Sequence, residues 1–122
     1  LSLIHTIGTQ EYVPYTDKWI DRYIFPNGKI PTALETVAAI GNELIIEDWH
    51  NFGLDYDRTI MAWSERFDAA WSDLSHRYDD RFYRMWHYYL MCCAAYFRSR
   101  QGQLWQLVLS KRKNQKVYRS VR

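Results

Sequence analysis

Apolar residues change their spacing at Asp55. From there the side chains of Ile60, Trp63, Phe67, Ala70, Trp71 and Leu74 recur with a helical period. After a break near Ser72 to Ser75, a second seam runs through Tyr78, Phe82, Met85, Trp86, Tyr89, Cys93 and Phe97, ending before Gly102. Two long amphipathic helices are expected there. On either side the runs are short and β-rich. Leu1 to Ile7, closed by Gly8, reads as a buried strand, Leu44 to His50, closed by Asn51 and Gly53, as a second, and Leu104 to Ser110 as a third. Between the first two, Thr16 is placed to cap a brief helix carrying Trp19, Ile20 and Tyr23, which stops at Pro26. Thr32 and Glu35 have capping-box spacing, with Leu34, Val37 and Ala38 on one face of the helix that follows and Gly41 at its end. The order strand, helices, strand, two long helices, strand predicts an α/β fold: an open sheet of three strands, its edges exposed, with helices packed on it.

At 122 residues the chain suits one compact unit, 1–122. Aromatic residues make up 17% of it, which points to a large aromatic core or a cavity lined by flat rings. Its longest apolar run, Tyr88 to Phe97, is about half of what a bilayer crossing requires. Leu1 is no initiator Met and no targeting segment precedes the first strand, so the chain reads as cut from something longer. The two cysteines, Cys92 and Cys93, are helical neighbours poorly placed to pair, and a reducing, cytoplasmic compartment is expected. Charge is divided unevenly. Lys111, Arg112, Lys113, Lys116, Arg119 and Arg122 form a tail without an acid, while the rest carries ten bases against fourteen acids. Such a tail suits anionic lipid, nucleic acid or simply solvent, and Val117 and Val121 alternate with polar residues in a way that would lay part of it against the body.

The glycines are too widely spaced for a dinucleotide or Walker loop. Cys92-Cys93 lacks zinc spacing, and the four histidines are scattered. Asp48 and His50 would share one strand face as a two-ligand metal site or, more simply, as a hydrogen-bonded strand end; no metal is expected. Cys93, on an apolar seam, reads as a structural thiol. The stretch Glu47 to Asp57 is the most informative. Glu47 and Trp49 should face one way from the strand and Asp48 and His50 the other, before the chain passes through Gly53 to a helix N-terminus near Asp55. Tyr56, in that helix's first turn, could donate its phenolic hydrogen to a small anion, or simply pack.

Three strings extend this reading: Tyr23-Ile24-Phe25-Pro26-Asn27-Gly28, Glu47-Asp48-Trp49-His50-Asn51-Phe52-Gly53, and Asp55-Tyr56-Asp57-Arg58-Thr59 with Met61-Ala62-Trp63. With Arg81 to Met85, Tyr88 to Leu90, Phe97-Arg98 and Gln103 to Gln106, they closely resemble the C-terminal part of cyclopropane-fatty-acyl-phospholipid synthases. The resemblance implies a class I S-adenosylmethionine-dependent methyltransferase fold, of which this chain is the last three strands, the final one antiparallel to its neighbours. The cofactor-binding half, with its glycine-rich loop and ribose-holding acid, would lie upstream, so no residue of this chain is assigned to the cofactor.

In that family the cis double bond of a phospholipid acyl chain takes the sulfonium methyl, and a bound bicarbonate removes a proton as the ring closes. The resemblance puts Tyr56 in the place of the tyrosine that hydrogen-bonds this bicarbonate, and Phe25 and Tyr23 beside the acyl chain. Glu47, Asp48, Trp49, His50 and Asn51 are a family signature without an assigned step. Implied partners are phospholipid acyl chains at the inner face of the membrane, where the enzyme would be peripheral, and the missing N-terminal half; nucleic acid is not among them, and homo-oligomerisation stays open. A rival reading, a noncatalytic helical interaction module with a basic tail for anionic partners, would hold if no cofactor loop preceded Leu1.

Overall fold

The computed structural model describes residues 1–114 and 116–120. Its elements run β1 (Ser2–Thr9), α1 (Lys18–Tyr23), α2 (Ala33–Ile40), β2 (Leu44–Asn51), α3 (Gly53–Leu74), α4 (Asp80–Arg98) and β3 (Gly102–Lys111). This is the expected α/β order. The contacts divide the chain into two compact units, Leu1–Asn51 with Gln103–Arg122, and Phe52–Gly102. Only one residue, Phe52, separates β2 from α3, so neither composition nor a linker marks the junction.

The first unit is built on a sheet of order β1-β3-β2. The last strand in sequence is central and pairs antiparallel with β2, from Leu44 opposite Lys111 to Asn51 opposite Trp105. Trp105, Leu107 and Leu109 of β3 form a buried cluster, against which Leu44, Ile46, Trp49, Ala33 and Ile40 pack. A bulge between Ile46 and Asp48 leaves Glu47 as the extra residue. Trp49 stands opposite Asp48 and His50 as expected, and the bulge also brings it onto the core face with Leu44 and Ile46, because one inserted residue reverses the pleat. Asp48 and His50 do share the opposite face, across from Val108 and Gln106.

β1 is not the buried strand expected from its composition. It is a sheet edge, with Leu3 and Ile4 exposed and burial reached only at Gly8 and Thr9. At Gly8 an added Cβ would lie 2.1 Å from the Trp105 ring, so the strand can pass the indole only as glycine. α1 is capped by Asp17, whose carboxylate accepts from the Trp19 and Ile20 amides, rather than by Thr16. The Thr16 hydroxyl is turned instead to the Gly28 carbonyl. The Thr32–Glu35 capping box forms as expected, and Gly41 ends α2 at a positive φ of 64°. The Leu34–Val37–Ala38 face of α2 is outward, while Ala33 and Ile40 make its packing side. Val117, expected to lie against the body, is 83% exposed; its neighbour Tyr118 is the residue that turns inward. Val121 and Arg122 lie outside the described residues.

The second unit is an α3–α4 hairpin. α3 begins at Gly53, two residues before the expected start, and has no side-chain cap. Its seam passes through buried Ser64 rather than Trp63, which is 44% exposed. On α4 the deepest positions are Leu90, Ala94 and Phe97, so the buried line lies beside the expected Tyr89–Cys93 one. Small residues at Ser64 and Ala94 suit a close approach of helices, which large rings would prevent. Rings flank that line: Tyr83 stacks on Phe67 at 5.5 Å and lies 4.8 Å from Trp71. The Tyr83 hydroxyl donates to Asp68 at 2.9 Å, and Arg98 makes two 2.9 Å hydrogen bonds to the Asp57 carboxylate. These polar ties fix the register of the two helices, Asp57–Arg98 near the start of α3 and Asp68–Tyr83 further along it.

Candidate active site

Tyr56 lies on the second turn of α3, its backbone amide bonded to the Phe52 carbonyl at 2.9 Å. The backbone is therefore satisfied, and the phenol is what remains to interact. Its half-buried ring meets Phe97 of α4 edge to face at 4.9 Å and Trp63 at 5.7 Å, both at 83°. Burial pushes the phenol's pKa up, and the nearby Cys93 adds to the rise. Tyr56 is thus neutral and keeps its O–H at physiological pH. Burial also raises the Cys93 thiol, against a hydrogen bond from Tyr89 that lowers it, and Tyr89 is itself pushed well up, chiefly by burial. Both groups stay protonated, in agreement with a structural reading of Cys93. The rings thus flank a neutral donor, which can hydrogen-bond a small anion.

The other predicted site residues lie in the sheet unit, so the structure describes them apart from Tyr56. The signature residues on β2 are engaged there. Ser110 Oγ donates to Glu47 Oε1 at 2.5 Å. Tyr118 Oη donates to Asp48 Oδ2 at 3.5 Å. Trp49 meets Trp105 edge to face at 5.0 Å. Asn51 Nδ2 donates to Gln103 Oε1 at 2.8 Å, and the same oxygen accepts the Trp105 indole N–H at 3.0 Å. Glu47 and Asn51 therefore brace the β2–β3 ladder at both ends, a role that sequence spacing could not show because each partner is more than 50 residues away. His50, half-buried, stands across from Gln106.

Gln106 marks a pairing that the scattered histidines concealed. Its side-chain amide lies 3.3 Å from His5 Nδ1, joining β3 to β1 on the sheet face that carries Asp48 and His50. Among the described residues no group of three or more His, Cys, Asp or Glu could hold a metal. Tyr23 ends α1 and Phe25 lies two residues beyond it; both are exposed, Tyr23 at 5.6 Å from Trp19 and under the Arg22 guanidinium.

Comparison with known proteins bears on this arrangement. Residues 1–107 match the family described as Mycolic acid cyclopropane synthetase. A cyclopropane-fatty-acyl-phospholipid synthase of Escherichia coli K12 is 50% identical over 109 residues, covering 89% of this chain and 28% of that protein. A cyclopropane-fatty-acyl-phospholipid synthase from Citrobacter freundii is 54% identical over 70 residues, 57% of this chain and 79% of its sequence. The solved structure of the cyclopropane synthase MmaA2 from Mycobacterium tuberculosis superposes with a TM-score of 0.75 at 26% identity, covering 89% of this chain and 43% of that one. The chain thus spans little more than a quarter of the Escherichia coli relative and less than half of the solved structure. Tyr56, the β2 signature and the Tyr23–Gly28 string all fall within the matched residues, and the chain belongs to the mycolic acid cyclopropane synthetase family.

Proposed function

We propose that the protein carrying this chain is a cyclopropane-fatty-acyl-phospholipid synthase, which moves a methylene group from S-adenosylmethionine to the cis double bond of a phospholipid acyl chain. The 50% identity to the Escherichia coli enzyme over 109 residues carries this reading. A noncatalytic interaction module is not favoured by it. The chain's own residues do not make a cradle for S-adenosylmethionine, since its glycines are dispersed and no glycine-rich loop leads into a helix. Cofactor binding is assigned to the remainder of the methyltransferase fold.

What this chain supplies is side chains for the reaction, from each unit separately. Tyr56 would hold bicarbonate by donating its phenolic hydrogen to it, and the bound anion would supply a base for ring closure. The raised pKa supports that role, because a phenolate would repel an anion. Rings around it keep water from a cationic carbon centre, and their faces favour positive charge. Phe25 and Tyr23, exposed at the end of α1, face the acyl chain. The protein works in the cytoplasm, peripheral to the inner face of the membrane; no helix among the described residues is long and apolar enough to cross one.

The reading is tested by incubating the complete protein with methyl-labelled S-adenosylmethionine and vesicles of cis-monounsaturated phospholipid. Mass spectrometry of the acyl chains should show one added CH2 carrying the label and a ring in place of the double bond. Absence of label from the acyl chains would contradict it, and a methyl-branched product would replace ring formation by simple methylation.

A further inference from the structure

We infer that the described residues 111–114 and 116–120 are a preformed docking element for the anionic phospholipid bilayer, with Val117 as its apolar tip. The inference deepens the membrane reading above by assigning it to a surface. Five bases, Lys111, Arg112, Lys113, Lys116 and Arg119, lie in the segment with no acid between them. Among the described residues none of the five makes an ion pair. Their charge is uncompensated within the segment, as attraction to an anionic surface requires.

Its described residues also have fixed partners. Arg112 N–H donates to the Glu43 carbonyl at 3.4 Å, Asn114 N–H to the Lys111 carbonyl at 2.8 Å, and Lys116 N–H to Asn114 Oδ1 at 3.2 Å. Tyr118 then ties it to β2 through Asp48, the acid across the sheet from Val108. That bond occupies the nearby carboxylate and leaves Val117, one residue earlier, 83% exposed between Lys116 and Tyr118. An exposed valine gains nothing in water and gains by entering an interfacial layer while the bases meet headgroups. A nucleic acid would reward the bases but not the valine. Because turns and Tyr118 already order the backbone, less entropy is lost on docking.

The test is flotation of the complete protein with vesicles of phosphatidylglycerol and phosphatidylethanolamine, and with neutral phosphatidylcholine, at low and high salt. Replacing Lys113, Lys116 and Arg119 by Gln should lower partitioning to anionic vesicles about tenfold at low salt and flatten its salt dependence. Val117→Gln should lower it about threefold at both salts, since an apolar contact is not screened. Equal partitioning of the wild type to neutral and anionic vesicles, or wild-type partitioning by both variants, would overturn the assignment. So would partitioning that follows the bases alone, with Val117→Gln silent, together with equally strong retention on duplex DNA. Turnover on detergent-dispersed lipid separates this inference from the enzymatic reading: docking variants should keep it, and its absence from the wild type would defeat the enzyme reading alone.

Discussion

The hairpin unit and the sheet unit bury their apolar side chains in different ways. In the hairpin, each long helix offers its stripe to the other, and Ile60, Leu90, Ala94 and Phe97 are almost completely covered within one stretch of sequence. The sheet unit covers one face of β3 with β2 and α2, yet leaves Leu3, Tyr15, Phe25 and Leu34 exposed. The hairpin draws the contacts between its helices from one stretch of sequence, while an edge strand and a short helix depend on partners distant in sequence. Stability is therefore expected to be concentrated at Trp105 and Leu107 in the one unit and shared along a stripe in the other.

The largest test of this contrast is truncation of the two central rings. Trp105→Ala and Phe97→Ala should each cost about 3–5 kcal/mol in urea unfolding, whereas Leu34→Ala should stay within about 0.5 kcal/mol. Near-equal losses at Leu34 and Trp105 would break the division into covered and uncovered faces. Gly8→Ala comes next. Its Cβ would intrude on the Trp105 ring from the edge strand, and overpacking of this kind costs about 1–3 kcal/mol. A midpoint equal to wild type would mean that β1 and β3 do not meet at that spacing.

Smaller effects are expected at the α2 cap. Thr32→Ala removes the hydroxyl that accepts from the Glu35 amide at 3.1 Å and should cost about 1 kcal/mol. Glu35 answers to pH. Hydrogen bonds from Lys29 and from the Thr32 amide hold its carboxyl down at about 2 against an ordinary 4.5. Ionised Glu35 therefore favours the folded state: its contribution is complete above about pH 4.5 and is lost as pH falls through about 2. A Glu35→Gln chain should show a flatter fall of stability over that window, and an unchanged slope would remove Glu35 from the acid response.

These contrasts also explain what the sequence disclosed. Both long helices, all three strands and the Thr32–Glu35 box are legible because each depends on local spacing. The bulge at Glu47 is not, since an extra residue leaves no trace in composition, and it brings Trp49 onto the core face with Leu44 and Ile46. The exchange of Trp63 for Ser64 in the α3 seam is similar: hydrophobicity favours the indole, but close helix packing favours the small side chain. Asp17 displaced Thr16 as a cap because the Thr16 hydroxyl is engaged with Gly28. The placement of Tyr56 near a helix start was legible locally, whereas the partners of Glu47, Asn51 and His5 sit on β3 and required the sheet register.

The central claim is that the Tyr56 phenol is a neutral donor to the anion that serves ring closure. It is tested most directly by turnover of the complete protein carrying Tyr56→Phe, titrated with bicarbonate at saturating phospholipid. The account predicts a fall in kcat of roughly a hundredfold, a weaker apparent affinity for bicarbonate, and a lipid KM within about twofold of wild type, because the lost bond acts on the base and not on the lipid. Unchanged kcat at saturating bicarbonate would contradict it and return Tyr56 to packing against Phe97 and Trp63.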